Sequence, residues 1–388
     1  MNIGILGSGQ LGRMMALAGA NLGFQFHFFD AKSPSLLPVP GTMHQADYSD
    51  FARLRSFATL ADVVTYETEN VPISAGTEVN QISPLLPGLR SLQVSQDRLL
   101  EKEFLRSLNI PTADFRAVTT LEDLQSAVKD LGLPAVLKTR RSGYDGKGQI
   151  ILRTEYDIEK AWHKLCGESL VVERWISFCR ELSIVAVRDC HGNVAYYALT
   201  QNNHTDGILR MSISPAPGES NELEKAAQEI AFRVLTELNH VGVLTIEFFE
   251  VEKRLIVNEI APRVHNSGHW TIEGAKASQF ENHVRAIAGL PLGSTESLGK
   301  SVMVNLIGQT PNLSTLLAMQ DAHVHLYGKP AAAGRKLGHV TFCGLDNYFD
   351  ASNLVPLMAP MGDASVANTL RHLQSCHLRT TSVSMAKT

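Results

Sequence analysis

Two glutamates sit in consecutive apolar runs, Thr245-Ile246-Glu247-Phe248-Phe249 and Leu255-Ile256-Val257-Asn258-Glu259-Ile260, joined by a charged turn at 252–254. A hairpin centred near Lys253 places each glutamate six residues from its centre, so Glu247 and Glu259 oppose each other. Opposed like charges destabilise a sheet, and carboxylates among Ile and Phe are costly to bury unpaired. A divalent cation relieves both problems. Magnesium suits one or two carboxylates completed by phosphate oxygens, and Asn258 adds a neutral ligand. The alternative is two acids on a solvated sheet face. Directly after this strand, Arg263-Val264-His265-Asn266-Ser267-Gly268-His269 is a dense run of donors. It could hold an oxyanion, and its histidines could manage protons.

A second constellation surrounds Lys138, at the end of an apolar strand that runs into residues 140–148. Three glycines (Gly143, Gly146, Gly148) and three cations (Arg140, Arg141, Lys147) give that loop mobility, open N–H groups and positive charge. Such a composition fits a lid over a polyphosphate, or else a mobile basic hairpin. Glu173 ends the next apolar strand and Glu181 follows, placed to accept hydrogen bonds from a ribose or an adenine amine, or simply to be solvated. Lys329 with Gly334-Arg335-Lys336 forms a small basic cluster suited to a phosphate, or a solvated turn. Finally, Gly7-Ser8-Gly9-Gln10-Leu11-Gly12 fits G-x-G-x-x-G, with Asp30 eighteen residues beyond Gly12. The motif specifies a phosphate-sized anion at a helix N-terminus better than it specifies a dinucleotide.

The elements that must position these residues are legible in outline. Strands at 2–6, 24–29 and 62–66 alternate with helices, which implies an N-terminal doubly wound parallel sheet over residues 1–90. Pro84 and Pro87 mark a boundary. Residues 91–300 then mix helices (91–108, 121–131, 226–238, 277–288) with strands, including those that carry Lys138, Glu173, Glu247 and Glu259. Residues 301–388 read as a small mixed region with a Ser/Thr-rich tail. The expected class is α/β with α+β character.

Composition narrows the function classes. Of the 388 residues 44% are hydrophobic and 19% charged, and 35 basic against 39 acidic side chains leave a formal charge of −4. That balance argues against nucleic acid as a partner. Five scattered cysteines read as reduced cytosolic thiols. No signal-peptide pattern or membrane-length apolar run occurs, so no membrane partner is expected.

The sequence resembles the ATP-grasp superfamily, and within it the 5-(carboxyamino)imidazole ribonucleotide synthase family, from Gly7 to His339. The most specific pieces are Gly143-Tyr144-Asp145-Gly146-Lys147-Gly148, Asn258-Glu259-Ile260-Ala261-Pro262-Arg263 and Val264-His265-Asn266-Ser267-Gly268-His269-Trp270. Ser142 stands where family members often have glycine, and Arg174 where lysine is common. The resemblance implies an ATP-grasp fold with a lid over about residues 110–175. It implies ATP as co-substrate, Mg2+ (with Mn2+ a substitute) on Glu247 and Glu259, and bicarbonate and aminoimidazole ribonucleotide as partners. It further implies a cytoplasmic homodimer.

Its site residues carry over one by one. Arg98, Lys138, Gly143, Tyr144, Asp145, Gly146, Lys147, Gly148 and Gln149 would hold ATP phosphates. Glu173, Arg174, Trp175 and Ile176 would form the adenine strand, Glu181 would take the ribose, and His204, Asn258 and Glu259 complete the nucleotide site. Arg263, His265 and Asn266 would handle bicarbonate and carboxyphosphate. The ribonucleotide would lie near Glu69 (or Glu67), Tyr144, Asp145, Lys329 and Arg335, with Gly9, Gln10 and Leu11 approaching its phosphate. Asp145 and His265 both stand as candidates for the group that takes the amine proton.

Overall fold

The structure is a computed structural model that describes residues 1–31, 40–143, 146–165, 167–218, 220–319 and 321–345. At the N-terminus β1 (Asn2–Leu6), β2 (Gln25–Asp30), β3 (Thr42–Gln45) and β4 (Val63–Tyr66) pair in parallel in the order β3-β2-β1-β4. Their apolar residues are buried under helices, as parallel strands flanked by crossovers require. Next, β5 (Phe115–Val118), β6 (Ala135–Thr139), β7 (Gln149–Leu152) and β8 (Leu170–Arg174) form an antiparallel sheet in the order β5-β8-β6-β7. It is backed by the helices Leu121–Leu131 and Tyr156–Leu165 around their own apolar cluster.

The remaining strands build one sheet of nine. They are β9 (Arg180–Arg188), β10 (Val194–Tyr196), β11 (Thr200–Thr205), β12 (Ile208–Ser214), β13 (Gly242–Val251), β14 (Arg254–Ala261), β15 (Lys300–Ile307), β16 (Ala322–Leu326) and β17 (Lys336–Leu345). The order is β14-β13-β9-β11-β12-β15-β17-β16, with β10 against β9. The C-terminal strands therefore extend the central sheet through the β12–β15 pairing. His283, on the helix Gln279–Ile287, ties this sheet to the N-terminal one. Its Nδ1 accepts from Val243 N at 3.1 Å and its Nε2 meets Thr65 Oγ1 at 2.9 Å. Burial brings its pKa down to about 3, so it stays neutral. No helix among the described residues is long and apolar enough to cross a membrane.

Helical spacing predicts one helix over 91–108, and the structure contains two, Leu89–Gln96 and Arg98–Ser107. Asp97 is extended between them (φ −127°, ψ 111°) and its side chain caps Leu99 N at 3.0 Å. The same carboxylate takes two 2.8 Å hydrogen bonds from Arg140. Spacing could not show this, because the apolar period runs across the break. The consequence is functional, since Arg98 becomes the first residue of a helix and its guanidinium reaches Glu259 on β14. The helix predicted at 226–238 begins earlier, at Asn221, where Ser220 accepts from Leu223 N.

Candidate active site

The two glutamates are directly paired, Glu247 on β13 with Glu259 on β14. The route to this register differs from the symmetric hairpin. The turn is the two-residue Glu252–Lys253 pair, both at positive φ (49° and 63°), closing Val251 on Arg254. On that centre alone Glu247 would face Asn258. A register shift after Glu247 inserts Asn258 as an extra residue and restores the acid pair. Loss of solvent first, and the charge of Glu259 second, push the Glu247 carboxyl up. Glu259 would also be raised by loss of solvent, but the Arg98 guanidinium, 2.9 Å from its Oε2, holds it low.

Glu259 stands where two cavities meet, one of about 360 Å³ and one of about 390 Å³, and Glu247 lines the first. Arg98, Gly143, Glu259, His265, Asn266 and Lys336 line both. The first lies between the β5–β8 sheet and the central sheet. It receives Lys138 from β6, Gly146 and Lys147 from the glycine loop, Gln149 from β7, and Glu173, Arg174, Trp175 and Ile176 from β8 and its exit. Glu181, His204, Glu247 and Asn258 come from the central sheet. Gly148 does not line it, although the loop carrying it does. Tyr144 and Asp145 lie outside the described residues. At Gly146 (φ 74°) a Cβ would run into the Asp206 carbonyl, so the loop rests against the β11–β12 turn only because this residue is glycine.

Charge in this cavity is organised below its surface. Lys138 Nζ lies 3.0 Å and Lys102 Nζ 3.2 Å from Glu173 Oε2, all three side chains being buried. Burial alone would raise Glu173, but the two lysines bring it down to about 2. Its other oxygen, Oε1, is shielded and unpartnered. Across the cavity Glu181 Oε2 meets His204 Nδ1 at 2.8 Å. Burial would lower His204, yet that bond and the Glu247 charge raise it. Phe178 stacks on Phe249 at 4.5 Å nearby.

The second cavity opens toward the N-terminal sheet and is lined by Gly9, Gln10, Leu11, Glu67, Glu69 and Arg263, among others. Its donors are largely engaged from within the chain. The Gly9 and Gly12 amides donate to Glu67, the latter at 2.7 Å, so a half-buried carboxylate occupies the anion position of the glycine motif. Asp30 Oδ2 takes Ser8 N (3.0 Å) and Ser8 Oγ (2.8 Å), which turns the acid expected for a ribose toward the loop itself. Arg263 forms a two-point pair with Glu69 at 2.5 and 3.0 Å. Asn266 is the opposite case. Both polar atoms of its amide are shielded from solvent without a hydrogen-bond partner.

The basic cluster is divided at the start of β17. Lys336 lines both cavities, whereas Arg335 is exposed, donates to the Pro330 carbonyl at 3.1 Å and lines neither. Lys329 lies just outside the lining and bonds Gln10 Oε1, which places it at the rim. Sequence reading also misses Glu101 and Lys102. Both are buried on the inner face of the helix Arg98–Ser107, where a predicted helix running through Asp97 gives no reason to look.

Family comparisons meet this geometry on three fronts. The ribonucleotide synthetase preATP-grasp domain matches residues 1–96, and the ATP-grasp domain matches 103–280. The phosphoribosylaminoimidazole carboxylase C-terminal domain matches 301–348. The N5-carboxyaminoimidazole ribonucleotide synthase of Pseudomonas aeruginosa is 47% identical over 341 residues, covering 88% of this chain and 94% of that protein. The chain belongs to the N5-carboxyaminoimidazole ribonucleotide synthase family. It is an ATP-grasp ligase of purine biosynthesis. The crystal structure of the Thermus thermophilus synthetase is similar with a TM-score of 0.86 at 47% identity, covering 92% of this chain and 98% of that one. An Aspergillus clavatus synthase in complex with ADP and the aminoimidazole ribonucleotide gives 0.85 at 31%, covering 92% and 97%.

Proposed function

We propose that the chain uses ATP and bicarbonate to carboxylate the exocyclic amine of 5-aminoimidazole ribonucleotide, through carboxyphosphate. The observation that carries this reading is Asn266. Its unpartnered amide sits on the wall shared by the two cavities, beside His265 and Glu259. A primary amide both donates and accepts, as does the –O–C(=O)–OH edge of bicarbonate. A reagent made on one side of that wall and consumed on the other needs such a group where the sides meet.

In this reading ATP fills the first cavity, with its phosphates on Arg98, Lys138 and the loop from Gly143 to Gln149. The base lies along Arg174, Trp175 and Ile176, met by the unpartnered oxygen of Glu173, and the ribose lies at Glu181 and His204. Glu247 and Glu259, with Asn258 beside them, would hold Mg2+, Mn2+ being a substitute. The fit rests on their direct opposition at the head of the phosphate path. Bound there, the cation would neutralise charge on the transferred phosphoryl group. The ribonucleotide takes the second cavity, with Glu69 and Gln10 inside, Lys336 and Lys329 toward its phosphate, and Arg335 at the margin. Tyr144 and Asp145 keep the roles that the resemblance implies. A bicarbonate oxygen attacks the γ-phosphorus and ADP leaves. Carboxyphosphate then yields carbon dioxide and phosphate, and the amine adds to the carbon and loses a proton. The enclosing walls keep water from carboxyphosphate. A division at residues 90 and 300, a homodimer and a cytoplasmic setting belong to the same proposal.

The test is ADP release measured with each substrate omitted in turn. ADP formation should require bicarbonate and rise with the ribonucleotide. Release indifferent to both would remove the reading.

A further inference from the structure

A row of buried polar side chains crosses the central sheet beneath His265. Ser183 on β9 pairs in register with Glu247, and Asn202 on β11 pairs with Ser212 on β12. The hydrogen bonds among them run one way. Ser212 Oγ donates to Asn202 Oδ1 (2.8 Å), and Asn202 Nδ2 donates to Ser183 Oγ (2.9 Å). Ser183 Oγ donates to Ser267 Oγ (2.9 Å), which itself stands 2.9 Å from His265 Nδ1. The amide sets this direction. An NH2 group can only donate, so the Ser183 hydroxyl must pass its own proton onward to Ser267. The Ser267 proton is then left with His265 Nδ1 as its acceptor.

A second donor reaches the same nitrogen, the backbone N–H of Ser267 at 3.2 Å. With two donors directed at it, Nδ1 has no room for a proton, and the ring carries its proton on Nε2. That atom lies 3.4 Å from Glu247 Oε1 on the wall shared by the two cavities. The backbone that carries the ring is itself held, because Gln279 accepts from His265 N (2.9 Å) and donates to His265 O (2.6 Å). Ser183, Ser212 and Ser267 are fully buried and Asn202 nearly so, leaving no bulk water to substitute for a missing link.

We propose that Asn202, Ser183 and Ser267 are positioning residues that hold His265 as an Nε2–H donor to the bicarbonate-derived oxyanion. His265 is then not the base that takes the amine proton. The choice of oxyanion rests on the function proposed above; the ring tautomer does not.

The test combines 15N-histidine NMR with kinetics, using His265→Ala to assign the ring signals. The wild-type ring should be protonated on Nε2 and unprotonated on Nδ1, and Ser267→Ala should shift both signals toward a tautomer mixture. Ser183→Ala and Ser267→Ala should lower kcat for bicarbonate-dependent ADP formation about 2- to 13-fold, the span of one neutral hydrogen bond, with the KM for ATP unchanged. A wild-type ring protonated on Nδ1, alone or together with Nε2, overturns the proposal, and so do ring signals indifferent to Ser267→Ala. If the variants do not fold, the wild-type spectrum still decides. Wild-type protein without bicarbonate dependence would sink the oxyanion reading and leave the tautomer standing.

Discussion

The molecule carries two glycine-rich loops that look alike in composition and are used in opposite ways. At Gly7–Gly12 the open amides are filled by the chain's own Glu67, and Ser8 is held by Asp30. At Gly143–Gly148 the neighbouring acid, Glu173, is drawn down instead onto Lys102 and Lys138, and the loop fronts a cavity. A glycine motif thus specifies exposed donors, while its occupant is specified by whichever anion the fold brings to it. A dinucleotide would have to displace Glu67 from the first loop, whereas the second loop faces open space.

The largest test attacks the support of the second loop. Lys102→Met leaves buried Glu173 with one lysine, and removing one partner of a buried pair costs about 3–5 kcal/mol. Urea denaturation at neutral pH should show that loss; a cost below about 1 kcal/mol would mean Lys138 alone satisfies Glu173.

Next in size is Glu101, between the loops on the wall of the second cavity. Burial, with Glu259 also raising it, pushes its carboxyl up to about 8 from an ordinary 4.5, against the opposing pull of Lys102. A raised carboxyl is protonated in the fold, so its contribution is present at low pH and is lost as pH climbs from about 4.5 through about 8. Glu101→Gln keeps an acceptor for Ile260 N and removes the titration. The stability difference between variant and wild type should therefore grow in the variant's favour across that window. A flat difference would mean that Glu101 is ionised in the fold.

The first loop comes third. Glu67→Gln keeps the shape but puts an NH2 group where one of the two oxygens accepts a glycine amide, leaving that N–H unpaired, for about 1–3 kcal/mol of stability. Thermal denaturation without loss, together with tighter ribonucleotide binding, would show that this loop is an anion site held shut by Glu67 and not a structural joint.

The smallest effect separates neighbours in the basic turn. Lys336→Ala should raise the ribonucleotide KM about 10- to 150-fold, as expected for a lost charge-assisted contact. The exposed Arg335→Ala should raise it only about 2- to 5-fold, with the KM for ATP near wild type in both. A reversed order would mean that the turn reorients on binding.

Much of this was legible along the chain because it is local. Apolar runs place β1 and the strands carrying Glu247 and Glu259 within three residues of their observed bounds. The acid pair itself was legible, although its register depends on two features that offset each other. The turn is centred half a residue earlier than the symmetric reading, and the extra Asn258 compensates. Local spacing cannot report a bulge, since it is set by pairing with another strand.

Residue chemistry by itself determined that this chain handles phosphates, opposes two carboxylates and follows them with a tract of donors. Tertiary structure alone decided which of those groups are spent inside the protein. Arg263 goes to Glu69 across 194 residues, and Glu67 goes to Gly9 across 58. Lys102 goes to a strand some seventy residues away, while Asn266 is left unpartnered. The reason is physical. A charge is drawn to the nearest opposite charge or donor in space, and in a folded chain that neighbour is seldom the nearest in sequence.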